Sequence, residues 1–157
     1  MHKNIKSIWN MKFAENIPIG FNIEVGAGEC VLKLGEINAT TLEMELGAGN
    51  LEVDCSGKPA LRELEIDSGA GDVAINLNGV WENDLKGVIN AGVGSVTVKV
   101  PREVSVKATI DAGVGKVNAE GFEKQEKTYV NTPPGARATL TLGIDCGVGD
   151  VNLVFAD

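Results

Sequence analysis

Six times the chain writes Gly-x-Gly and then alternating aliphatic residues: "GAGECVLKL", "GAGNLEVDC", "GAGDVAINL", "GVGSVTVKV", "GVGKVNAEG" and "GVGDVNLVF". The glycine pairs are Gly26 and Gly28, Gly47 and Gly49, Gly69 and Gly71, Gly92 and Gly94, Gly113 and Gly115, and Gly147 and Gly149. Their leading members are 21, 22, 23, 21 and 34 residues apart. A period in the twenties marks a stacked array, in which one unit cannot bury its apolar face alone. This pattern constrains the fold more than any other property of the chain.

Aligned on the glycines, the copies give columns that read for burial. Three residues before the pair stand Ile23, Met44, Ile66, Ile89, Ile110 and Ile144; one before it stand Val25, Leu46, Ser68, Ala91, Ala112 and Cys146. Between the glycines stand Ala27, Ala48, Ala70, Val93, Val114 and Val148. Three further columns follow at alternate positions, opening with Cys30, Leu51, Val73, Val96, Val117 and Val151. Of these 36 positions only Ser68 and Gly121 are not apolar, so all six columns are expected to face inward. The period is two, that of a strand with one buried face. It slips by one residue across each glycine pair, which requires a bend or bulge there. Glycine supplies the backbone for such a corner. Each copy therefore reads as strand, corner, strand and a looser return segment containing turns and a shorter strand.

Coils of this kind stack through parallel pairing of equivalent strands, and parallel crossovers are right-handed. The expected fold is all-β: a right-handed parallel single-stranded β-helix or solenoid of about six coils, about 29 Å long at one strand spacing per coil. Residues 1–20, with Trp9 and Phe13, are expected to cap one open end of a solenoid domain over residues 21–157, and the C-terminal "VNLVFAD" to cover the other. An insertion at about residues 122–139 stretches the last interval.

These copies, in the wording "GAG-[E/N/D]-L-x-V", resemble the toast-rack domain of bacterial LiaF-type cell-wall-stress proteins and of related adhesin-like domains. The likeness extends over about Phe21 to Asp157 and rests on the recurring glycine pairs, not on a catalytic signature. It implies a β-helix-like fold and a role in envelope-stress signalling or surface interaction. It brings no functional residues with it. Members of the group often join this domain to transmembrane helices.

Composition narrows the chemistry. Aromatics are 4% of the 157 residues, and 22 acids against 14 bases give a net charge of -8. Such a chain repels a phosphate backbone, and it has no basic face, so nucleic acid is not an expected partner. No apolar run is long enough to span a bilayer. The opening "MHKNIKSIWNMKF" lacks the apolar core of a secretion signal, so a cytoplasmic or membrane-peripheral location is expected. Cys30, Cys55 and Cys146 lie within apolar alternation without a C-x-x-C pair, as buried reduced thiols do.

The glycine pairs are not a phosphate cradle, because none opens a helix and none belongs to a P-loop. Their likeness to calcium-binding nonapeptide repeats is compositional, since those stack at a shorter period. Two residues before each leading glycine, however, stand Glu24, Glu45, Asp67, Asn90, Asp111 and Asp145. On adjacent coils this outward ladder brings like charges about 5 Å apart. It is either a solvated, salt-screened face or a surface bridged by a divalent cation or a basic partner. Catalysis through zinc or a triad lacks histidines, because His2 is the sole one. A two-carboxylate glycosidase site lacks both a distinct acid pair and aromatic platforms.

The insertion "FEKQEKTYVNTPPGARATLTL" breaks the period around Pro133-Pro134-Gly135. It is a spacer, a cover for the end coil, or a binding loop with Tyr129 and Arg137 as contact residues. Trp81, in the return segment "GVWENDLKG", is expected to cap the core edge rather than to hold a ligand. The chain is thus expected to be a non-enzymatic interaction or sensor module without cofactor, of a bacterial envelope-stress system, with an adhesin-like or glycan-binding surface domain as the alternative. Its partner is another protein, membrane-associated or not, and its open edges permit edge- or end-mediated homo-oligomers.

Overall fold

Each glycine pair separates a long strand from a short one. A computed structural model describes residues 11–14 and 16–156, and these contain strands and no helix. In chain order the strands are β1 (Ile19–Ala27), β2 (Cys30–Lys33), β3 (Ala39–Ala48), β4 (Leu51–Asp54), β5 (Glu63–Ala70), β6 (Val73–Asn76), β7 (Leu85–Val93) and β8 (Val96–Val100). They continue as β9 (Ser105–Val114), β10 (Val117–Asn118), β11 (Glu123–Gln125), β12 (Thr128–Asn131), β13 (Thr139–Val148) and β14 (Val151–Phe155). The six long strands, with β12 and β11 added at one edge, form an eight-stranded sheet in the order β1-β3-β5-β7-β13-β9-β12-β11. The short ones form a six-stranded sheet in the order β10-β14-β8-β6-β4-β2.

Pairing between equivalent strands is parallel, as expected, and holds the columns in register. Ile23 lies beside Met44, Met44 beside Ile66, and Ile66 beside Ile89. Their side chains and those of the short strands meet between the two sheets, where Met44, Ile66, Val53, Ile75, Ile89 and Val98 are all buried. Five of the six columns face this core or its edge. The column between the glycines does not. Ala27, Ala48, Ala70, Val93, Val114 and Val148 are all exposed, because the chain changes face at the corner itself. A residue held between two glycines there projects from the turn.

The glycines are required by stacking more than by the bend. A side chain on Gly71 would put its Cβ 1.8 Å from the carbonyl oxygen of Gly49 in the neighbouring strand pair. The leading glycines from Gly47 onward meet the same obstacle, an added Cβ on Gly69 falling 2.4 Å from the Gly47 oxygen. Two spines of glycine backbone therefore run the length of the corner, with no room for Cβ inside the stack.

Two expectations need correction. Outside the insertion, the described return segments lack the shorter strand expected of them and hold only a parallel bridge between Gly57 and Gly79. The strand pairs also do not stack in sequence order. The last long strand, β13, lies between β7 and β9, with Ile144 beside both Ile89 and Ile110. The insertion explains this exchange. Its hairpin, β11 and β12, pairs antiparallel on the outer edge of β9, and the chain then returns to enter between β7 and β9. The extra length at residues 122–139 is a crossover and an edge cover, not a free loop.

The single glycine among the inward columns has its own reason. A Cβ on Gly121 would come 3.0 Å from the Phe155 ring, which fills this end of the core. Phe122 stacks on Phe155 at 4.1 Å, and the Arg102 guanidinium lies 4.5 Å from its centroid. At the opposite end Phe13 meets Phe21 edge to face at 5.3 Å. Trp9, also expected there, lies outside the described residues, as does His2. Trp81 is fully in the core, its indole Nε1 donating to the Leu77 carbonyl at 2.8 Å.

Candidate interaction surface

Because the long strands are parallel and in register, every outward column becomes a continuous row. The acidic row runs Glu24, Glu45, Asp67, Asn90, Asp145 and Asp111. Its like charges are relieved at two points. Asn90 separates Asp67 from Asp145 and donates from Nδ2 to Asp67 Oδ1 at 2.9 Å. Lys127, in the hairpin turn, donates from Nζ to Asp111 Oδ2 at 3.0 Å, an exposed pair of little energetic weight. Among the described side chains, Glu24, Glu45 and Asp145 have no such partner. The row borders a shallow groove of about 440 Å³, lined by Glu45, Asp67, Asn90 and Asp145 and floored by the backbone of Gly47, Gly69 and Gly92. No three described His, Cys, Asp or Glu side chains converge as a metal site would require.

On the far side of the corner lies a second row, which the sequence pattern did not single out. It is formed by the residues that follow each second glycine. Asn50 Oδ1 accepts the Asp72 amide at 3.0 Å, and Asp72 Oδ1 accepts both the amide and hydroxyl of Ser95 at 2.9 Å. Asp150 Oδ1 accepts the Lys116 amide at 2.9 Å. Each short side chain thus ties one strand pair to the next. The Ser95 amide, followed by its hydroxyl, holds the Asp72 carboxyl below the ordinary carboxylate value. A signal was present in the sequence: a short oxygen-bearing residue stands after the second glycine in four of six copies, Asn50, Asp72, Ser95 and Asp150.

Between these rows the corner residues form an apolar ridge, in the order Ala27, Ala48, Ala70, Val93, Val148 and Val114. The three valines are adjacent, and they are 54%, 48% and 68% exposed. Adjacent exposed valines are costly to hydrate, and contiguous apolar patches mark contact surfaces. The two residues expected as contacts from the insertion fare differently. Tyr129 is buried against β9, opposite Ala108, so its ring belongs to the core and is corrected as a contact residue. Arg137 is exposed, on the segment that leads from β12 to β13 and away from the acidic row. The cysteines are free, Cys55 and Cys146 buried and Cys30 half-buried at the β2 edge. Burial, followed by the nearby Asp54 carboxylate, pushes the Cys55 thiol up to about 12.

A family model described as the N-terminal domain of toast_rack, DUF2154, matches residues 1–60 and again residues 57–99. The chain belongs to the toast-rack family. The toast-rack fold is also that of a solved structure, a "putative cell adhesion protein" from Clostridium sporogenes. It superposes with a TM-score of 0.73 over 87% of this chain and 92% of its own, at 21% sequence identity. At that identity the likeness establishes a shared fold. No functionally curated protein matches the chain. No described helix of this toast-rack domain is long and apolar enough to cross a membrane.

Proposed function

We propose that this toast-rack domain is a non-enzymatic interaction module of a bacterial cell-envelope stress system, and that its partner is another protein. Its frame is a right-handed solenoid of six coils, the hand favoured for parallel crossovers. One observation carries the reading: an acidic groove and three adjacent exposed valines, held on a rigid two-sheet frame. Rigid scaffolds that expose such apolar rows beside unpaired charge are suited to recognition, since little side-chain ordering is needed on binding. Family membership supports an envelope role.

The test is retention of a defined protein from native envelope extract by the immobilised domain. The double variant Glu45→Lys/Asp67→Lys should lose it. A second reading, an adhesin-like or glycan-binding surface domain, is favoured by the shared fold with the clostridial protein. A domain that retains no protein but selects oligosaccharides on a glycan array would replace the first reading with the second.

A further inference from the structure

We infer that the corner ridge is the docking surface, and that its ligand is a basic amphipathic helix from a partner protein lying along the solenoid axis. This rests on the interaction-module reading above and names the chemistry of the partner.

The spacing is the first reason. The ridge residues Ala27, Ala48, Ala70, Val93, Val148 and Val114 follow one another at the strand spacing, about 4.8 Å. Successive turns of an α-helix rise about 5.4 Å. Over the three valines the two periods differ by only about 1 Å, so apolar residues at i, i+3/i+4 and i+7 fall beside Val93, Val148 and Val114. An extended strand lying the same way would place its same-side residues nearly 7 Å apart and lose step at once. The alanine end of the ridge has short side chains, which let a helix approach closely there.

Charge is the second reason. Carboxylates flank the ridge on both sides: Glu24, Glu45, Asp67 and Asp145 on the long strands, and Glu29, Asp72 and Asp150 after the second glycines, with Lys116 and the Asp111–Lys127 pair at the Val114 end. A helix with Lys or Arg on both borders of its apolar stripe meets this pattern, whereas an acidic helix or an anionic membrane surface is repelled. The groove along Gly47, Gly69 and Gly92 is lined otherwise by short or inward-facing residues and by the carboxylates of Glu45, Asp67 and Asp145, so long basic side chains can lie in it.

The probe is an 18-residue Leu/Lys amphipathic peptide, with a Leu/Glu peptide of the same pattern as control, titrated by calorimetry into the intact domain. The wild type should bind the first and not the second. Val93→Ser/Val148→Ser, which removes apolar surface without adding charge, should weaken binding at least tenfold, as should Asp67→Lys/Asp145→Lys; both pairs are exposed, and unchanged circular dichroism and melting establish that they fold. Glu103→Lys, in the turn that precedes β9 and far from its corner end, should leave binding unchanged. Equal binding by the valine variant overturns the ridge as the site, as does binding of neither peptide. If the partner captured from envelope extract is still retained by the valine variant, the docking assignment fails while the interaction-module reading stands. If wild type captures no protein at all, the module reading fails with it.

Discussion

Alanine at Gly71 and alanine at Gly26 are the same substitution in the same motif, yet they should differ by several kcal/mol. At Gly71 the new Cβ falls 1.8 Å from the Gly49 oxygen, and φ is +127°, a conformation that side-chain-bearing residues seldom adopt. Restoring a separation of even 3.0 Å moves the strands apart by over 1 Å. That opens the hydrogen bonds from the Gly49 amide to Ala70 and from the Leu51 amide to Asp72, now 2.8 and 2.9 Å. Backbone strain of about 1–3 kcal/mol and two weakened hydrogen bonds at about 1 kcal/mol each come to about 3–5 kcal/mol. For a domain of this size that lowers Tm by about 6–20 °C. At Gly26 the added Cβ meets nothing within 4 Å, because β1 is the sheet edge. Gly26→Ala should change stability by less than about 1 kcal/mol, and restricting the unfolded chain can make the change favourable. Urea denaturation and calorimetry of both variants provide the check. A Gly71→Ala protein melting within about 2 °C of wild type, or a Gly26→Ala protein falling as far as Gly71→Ala, would refute steric stacking as the reason for the glycines.

Further outcomes follow from particular residues. Glu126, in the β11–β12 turn, has φ +58°, so Glu126→Gly should stabilise the hairpin by up to about 1 kcal/mol, read as a rise in urea midpoint. The Asp72 carboxyl is held low by Ser95, so its contribution is present above the ordinary aspartate value near pH 4 and is lost as pH falls through the lowered one. Asp72→Asn, which keeps an acceptor oxygen but no charge, should therefore lose less stability than wild type between pH 5 and about pH 3; an identical acid loss in both proteins would remove Asp72 from the account. Iodoacetamide should modify half-buried Cys30 first and Cys55 last, since burial keeps Cys55 protonated to about 12, and mass spectrometry of timed digests reads the order. Removing Trp81, whose indole satisfies the Leu77 carbonyl, should cost about 3 kcal/mol as Trp81→Ala, measured by the same denaturation.

Much of this architecture was legible because a period of two and a period in the twenties are both written in side chains. Ile66 between Met44 and Ile89 could be placed inward, and paired in parallel, without coordinates. Ala70 and Val93 could not, because the phase change falls on the residue between the glycines, and an apolar side chain there looks like one more core position. The exchange of β13 with β9 was illegible for a different reason. Copies that pair equally well with any neighbour do not encode their order, and only the 34-residue interval before Gly147 marked a departure. The acidic row was visible as a column, whereas the tie from Asp72 to Ser95 depends on which strand pair lies next. Tyr129 was misplaced because its contact-prone chemistry does not disclose that β12 lays it over β9.

The late position of β13 has a consequence for synthesis. A nascent chain that has reached Val114 has β9 in hand but not the neighbour that β9 will keep on its inner side. The remaining 34 residues to Val148 take a few seconds at about 5–20 residues per second. For that time β7 and β9 must stay apart, or pair wrongly and be separated again. β13 and β14 are the keystone of the rack: laid after β9 and β10, yet placed inside them.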